Sequence, residues 1–255
     1  MDLTQSERFW PLFFAVYEAL PRQGPGSLAS TARALALCAE LPDRPEILDL
    51  GCGSGAQTLD LATLTQGQVT AVDLHPPFIH ALQAAAGARN LSDSVHAVVG
   101  DMAAPPLPAG GQVDLIWSEG AAYFLGIANA LTLWRCLLRP GGYLAYSEAV
   151  WLRPDAPAPV QEMWLREYPA ISDVESNLRL PTAHGYEVCG HFVLPREDWW
   201  VDFYTPMTAR IAALSETYGD DAEARAILAF LAEEIAMHRR YEEYYSYLFM
   251  VLRRT

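Results

Sequence analysis

The stretch Ile47-Leu48-Asp49-Leu50-Gly51-Cys52-Gly53-Ser54-Gly55 decides how this chain reads. A short apolar run, broken only by Asp49, leads straight into three glycines at every second position. Glycine lets the backbone turn sharply and leaves no side chain above the turn. A nucleotide-like ligand can therefore lie directly on the main chain. A helical pattern follows over 56–65, its N-terminus aimed at that ligand. The pattern is Asp-x-Gly-x-Gly-x-Gly. In the Gly-x-Gly-x-x-Gly of nicotinamide and flavin sites the turn must clear a pyrophosphate.

Working outward, Gln68-Val69-Thr70-Ala71-Val72-Asp73 reads as a β-branched strand ending in an acid, 22 positions after Gly51. In a parallel βαβ unit, an acid about 20 residues past the glycine turn sits at the tip of the next strand and accepts hydrogen bonds from ribose hydroxyls. A lone acid at a strand end is as easily a solvated loop carboxylate; the glycine turn in register with it favours the ribose. Strand patterns recur at 46–50, 69–73, 95–99, 113–117 and 142–148, with helical patterns at 56–65, 77–87 and 126–138. Such alternation predicts a parallel sheet with helices on both faces. Pro105, Pro106 and Pro108 exclude a helix between the third and fourth strands.

The flanks are less regular. Residues 4–20 carry an aromatic, apolar helical face that includes Tyr17, suited to packing on the core or to a lid over the site. Pro21 to Ser27 is a loop, in which Gly24 allows a shaped backbone near a ligand and Arg22 is a candidate for a carboxylate. A helix is expected over 30–41. Beyond the proline-rich 154–159 come an insertion at about 155–183, a sixth strand at 186–194, a helical piece at 222–244 and a seventh strand at 245–253.

Length and composition fit one domain spanning 1–255: N-terminal helices over 1–41, a ligand-binding core over 46–150, and a cap with the last two strands over 151–255. The formal net charge of −14 disfavours a nucleic-acid partner, because phosphate neutralisation needs a basic surface. No apolar run approaches the ~20 residues that span a bilayer. The first residues do not read as a signal peptide, so a cytoplasmic location is expected. Cys38, Cys52, Cys136 and Cys189 have no metal-ligand spacing; they read as reduced thiols, and no metal site is expected.

These motifs together resemble the class I S-adenosylmethionine-dependent methyltransferases, of the small-molecule type related to the ubiquinone and menaquinone enzymes. The resemblance covers about 46–150. It implies a Rossmann-like α/β fold: a seven-stranded, mostly parallel sheet with the last strand antiparallel, an N-terminal helical lid and an insertion before strand six that caps the substrate. It also implies the roles of residues. Asp49, Gly51, Cys52, Gly53 and Gly55 would cradle the methionine part of S-adenosylmethionine. Asp73 would bind the ribose, with Leu74 beside the adenine. Gly100-Asp101-Met102 resembles the next motif, in which Asp101 bonds the adenine amino group and Met102 packs on the ring. Val113 to Glu119 looks like the fourth strand, with Ser118 and Glu119 facing the methyl group. Arg139-Pro140-Gly141-Gly142 matches the turn into strand five. A narrower similarity to a group of bacterial methyltransferases includes 22–27 and 117–121 and names no substrate.

Methyl transfer from a sulfonium asks chiefly that the nucleophile be held in line at roughly 3 Å; a base is needed only when that nucleophile must lose a proton. Glu119 is the candidate base, because ligands of such sheets gather outside the carboxyl ends of the strands. It could equally order the cofactor. Glu148 ends strand five and faces the same region. Tyr17, Trp151, Trp164 and Tyr168 are candidates to contact a small planar or cationic substrate. The expected product is S-adenosylhomocysteine. Rival readings are a non-catalytic cofactor-binding or partner-binding module, and aminopropyl transfer at the same site. The aromatic N-terminal helix and Trp199-Trp200 are compatible with a homodimer.

Overall fold

The computed structural model describes residues 3–108 and 110–255. Eight strands form one sheet: β1 (Glu46–Leu50), β2 (Gln68–Asp73), β3 (Val95–Val99), β4 (Val113–Glu119), β5 (Leu138–Trp151), β6 (Ser172–Asp173), β7 (Tyr186–Val193) and β8 (Tyr245–Arg254). The order is β3-β2-β1-β4-β5-β8-β7, with the two-residue β6 beside β5. β1 to β5 pair in parallel, and β8 runs antiparallel between β5 and β7. This is the expected seven-stranded α/β architecture with a short extra strand.

The helices are α1 (Phe9–Tyr17), α2 (Leu28–Leu35), α3 (Ala56–Thr65), α4 (Pro76–Ala88), α5 (Ile127–Arg135), α6 (Ala158–Glu167), α7 (Val174–Ala183), α8 (Arg196–Trp199), α9 (Thr205–Tyr218) and α10 (Ala222–Tyr241). A π-helical turn, Trp200–Tyr204, joins α8 to α9. Both faces of the sheet are covered, so β1 and β4 read as near-continuous apolar runs rather than alternating ones. Ile47, Trp117, Ala145 and Phe249 pack on one face with Ala34 of α2, Leu59 of α3 and Leu82 of α4. Leu48, Ile116 and Leu144 pack on the other with Leu131 and Trp134 of α5.

A second, mainly helical core lies over the carboxyl ends of the central strands. Phe9, Leu12 and Val16 of α1 meet Val160 and Met163 of α6, Met207 of α9, and Ile227 and Leu231 of α10. The helices of both late insertions share this core, within the 151–255 region in which the cap is expected. The segment 196–218, unassigned from sequence, supplies α8, the π turn and α9. Other boundaries shift for local reasons. The N-terminal helix is shortened to Phe9–Tyr17 behind a 3₁₀ turn at Leu3–Gln5. The second helix starts early because Ser27 caps it, its side chain accepting from the Ser30 N–H, and ends at Leu35. β5 begins at Leu138, where its pairing with β4 changes register between Val113 and Leu115 and absorbs the Pro-Gly-Gly turn.

Candidate active site

Gly51, Gly53 and Gly55 all adopt positive φ, at 72°, 55° and 83°. Each is also a point of close approach. A Cβ on Gly51 would collide with Ala121 after β4, one on Gly53 with the Gln23 side chain, and one on Gly55 with Leu82 of α4. The loop must stay bare for the site to assemble around it. Beneath it, Asp49 is fully buried and accepts hydrogen bonds from Thr58 Oγ1 at 2.5 Å and Gln57 Nε2 at 3.5 Å. Burial pushes its pKa up to about 7 against the pull of those donors. Asp49 thus latches α3 to β1 and fixes the turn between them. Cys52 is buried within the turn, and burial holds its thiol well above the ordinary range.

Asp73 closes the far side. Its Oδ2 accepts from the Gly53 N–H at 2.9 Å and its Oδ1 from the His75 N–H at 2.9 Å. A carboxylate oxygen has two lone pairs, so each keeps one for a ligand hydroxyl. Leu74 is 67 % exposed beside it. Asp101, past the end of β3, is exposed and uses Oδ1 to accept from the Ala103 N–H. Met102 packs against the core on the α5 side, and its carbonyl accepts from Trp134 Nε1. These residues fit an adenosyl group: a bare main-chain cradle, a carboxylate with free lone pairs across from it, and an exposed apolar side chain next to that carboxylate.

The other expected residues gather at the end of β4. Arg22, buried, donates through one terminal nitrogen to Glu119 Oε2 at 3.1 Å and through the other to Asp60 Oδ2 of α3 at 2.8 Å. Glu119 Oε1 also accepts from Trp117 Nε1 at 2.9 Å and from Thr31 Oγ1 at 3.4 Å. Burial raises the Glu119 pKa and Arg22 opposes that rise. Ser118 Oγ donates to the Leu50 carbonyl and ties β4 to β1. A Cβ at Gly24 would meet no atom within 4 Å, so the space there is open. The loop carrying Arg22 is held to the cap: Arg22 N–H donates to the Asp202 carbonyl and Gly26 N–H to that of Asp198.

Of the four substrate candidates, Tyr17 stacks on Phe13 at 4.1 Å, and Trp164 lies edge-on to Tyr245 at 5.0 Å. Trp151 packs against the cap core, while Tyr168 meets Tyr123, in the turn after β4, at 5.6 Å. One further residue was not singled out from the sequence. Gln23 Oε1 accepts from both the Ser54 N–H (2.7 Å) and the Ser54 hydroxyl (2.8 Å), while its amide donates to the carbonyls of Tyr17 and Leu20. It straps the end of α1 onto the glycine loop; only its place beside Gly24 hinted at it. Tyr247 of β8 lies against Gly120, a contact that pairing across the sheet creates and no local pattern announces.

Residues 47–142 match the family model described as a methyltransferase domain. A solved S-adenosylmethionine-dependent methyltransferase from Thiobacillus denitrificans, in complex with S-adenosylhomocysteine, superposes with a TM-score of 0.83 at 22 % identity, over 96 % of this chain and 98 % of that one. One from Geobacter sulfurreducens, with the same ligand, gives 0.82 at 21 %, again over 96 % and 98 %. The bifunctional biotin-biosynthesis protein BioCD of Bordetella avium is 34 % identical over 170 residues. That match takes in 62 % of this chain, which spans about a third (33 %) of that relative's length. The chain thus has the fold of these S-adenosylmethionine-dependent methyltransferases, and its central residues match the methyltransferase domain family. Among the described residues, no helix is long and apolar enough to cross a membrane.

Proposed function

We propose that this chain transfers a methyl group from S-adenosylmethionine to a small-molecule acceptor and leaves S-adenosylhomocysteine. The observation that carries this is the Asp73 carboxylate, hydrogen-bonded to the bare Gly53 N–H and still able to accept from two ribose hydroxyls. Bound here, the cofactor supplies a methyl group already activated by the positive sulfur. The chain's own part is to grip, orient and exclude water. Asp49 and Gln57 hold the glycine loop, Gln23 closes over it, and Leu74, Asp101 and Met102 lie in line for the base. Arg22 braces the end of β4 by bridging Glu119 to Asp60 of α3. Both Glu119 oxygens already accept hydrogen bonds, which supports a positioning role for it over proton transfer.

A non-catalytic binding module would keep the loop and lose the space beyond it. Isothermal titration with S-adenosylmethionine and S-adenosylhomocysteine, followed by a metabolite screen with methyl-labelled donor, tests both readings. Binding of each with label taken up by a small molecule is expected. Binding without uptake would leave the module, and no binding of either would end the proposal.

A further inference from the structure

Glu148 is 2 % exposed, at the carboxyl end of β5 and one register step past the β5 residue that faces Glu119. Its Oε1 accepts only from the Ala149 N–H at 2.9 Å, and its Oε2 has no partner. The Tyr146 hydroxyl, two residues before it on the same face, is buried and unpartnered too, as is Trp164 Nε1, one turn before Tyr168. Buried polar atoms are nearly always hydrogen-bonded, and each exception calls for a reason. Two unpaired atoms on one face of β5, towards its carboxyl end, call for a ligand.

The surroundings say which kind. Glu148 acts electrostatically on Tyr123, Tyr146 and Tyr168, which come from the β4 turn, β5 and the end of α6, whereas Tyr247 pairs with Ala149 and lies on the other face of the sheet. The other acids felt by Tyr123 are Glu167 and Glu234, and Tyr204 donates to Glu234 at 2.6 Å. Among the described residues no salt bridge involves Glu148 (the chain has no lysine at all) and the Arg22 guanidinium is taken by Asp60 and Glu119. A carboxylate or phosphate here would meet acids with no cation to offset them. An ammonium group would find an unpaired carboxyl oxygen and aromatic walls.

Building on the methyltransferase reading above, we propose that the acceptor is a small amine, whose nitrogen is held by Glu148 beside Tyr123 and Tyr168. The ammonium form passes one proton to Glu148 Oε2. The freed lone pair then forms the nitrogen–carbon bond to the methyl group as the carbon–sulfur bond breaks, its electron pair leaving on sulfur. The products are the methylated ammonium, a neutral thioether and a protonated Glu148, which releases its proton as product leaves.

The test uses the whole protein loaded with S-adenosylhomocysteine, whose own titration comes first. Butylamine, benzylamine and tyramine are then titrated beside the matched alcohols and carboxylates, in two buffers of different ionisation enthalpy at pH 7. At least one amine is expected to bind at least tenfold tighter than its alcohol and carboxylate counterparts, releasing close to one proton, because the ammonium ionises a carboxyl that burial had kept protonated. Glu148→Gln should keep its affinity for S-adenosylhomocysteine, lose the proton release and bind the amine at least tenfold more weakly. Normal product binding with no preference for amines, or proton release unchanged in Glu148→Gln, overturns the amine proposal and leaves the cofactor reading standing. Failure of the wild type to bind S-adenosylhomocysteine removes both. If Glu148→Gln unfolds, Tyr168→Phe is the second variant, expected to weaken the amine alone.

Discussion

Glu148→Gln has a consequence for folding that needs no ligand. Burial without a countercharge raises the Glu148 pKa from 4.5 to about 8. A carboxyl whose folded pKa lies above its unfolded one stabilises the fold fully below the unfolded value. That stability drains away as pH rises towards the folded value. Between those limits the folded state holds a proton that the unfolded chain has released, so stability falls by about 1.4 kcal/mol per pH unit. From pH 5.5 to 7.5 that amounts to about 3 kcal/mol from this one group. Glutamine has nearly the same shape and no proton to lose. Asp49, raised to about 7 in the same way, contributes its own slope to both proteins and cancels in the comparison. The phenols facing Glu148 are pushed above 10 by burial and stay neutral throughout. Urea unfolding of cofactor-free wild type and Glu148→Gln at pH 5.5, 6.5 and 7.5 should give curves that diverge in the variant's favour as pH rises. Parallel curves would mean that Glu148 is paired or solvated in the folded protein, and the reasoning about its unmet oxygen would fail.

Asp73→Ala should cost about 1.5–3 kcal/mol of S-adenosylhomocysteine affinity, the value of hydrogen bonds to a charged group, read by titration. Gly53→Ala forces a Cβ onto a left-handed residue and into Gln23; it should lower thermal stability and abolish cofactor binding, and tight binding by that variant would contradict the strap. Thr58→Val removes the shorter of the two side-chain bonds to buried Asp49 and should cost about 1–3 kcal/mol in urea unfolding. Tyr168→Phe and Trp164→Phe should leave cofactor affinity unchanged and alter methyl transfer; if neither moves turnover, these side chains do not reach the acceptor.

What could be read from the sequence was what the backbone demands locally. Gly51, Gly53 and Gly55 are forced by conformation within a single turn, and Asp73 by one strand-helix-strand repeat, so both leave a fixed spacing. Gln23 and Ser54 lie 31 residues apart, and their bond depends on how α1 settles over the sheet. No spacing rule reports that. Glu148 ended a strand in the sequence, but its isolation is a property of the packed interior. The unity of the late helices was hidden for a related reason: α6, α9 and α10 show ordinary helical patterns, and only their shared core with α1 reveals that they act as one body. Strand five looked shorter than it is because Pro140-Gly141-Gly142 resembles a turn, and the sheet takes it in through a shift of register.

The molecule has two interiors, one around the sheet and one mainly helical, and the ten residues from Glu18 to Ser27 stitch them together through Gln23, Arg22 and Gly26. A donor molecule lodged at that seam acts as a rivet. Unliganded protein should shed its helical half first and melt in two stages, whereas the loaded form should come apart in one. Entry and exit would then require the stitch to loosen.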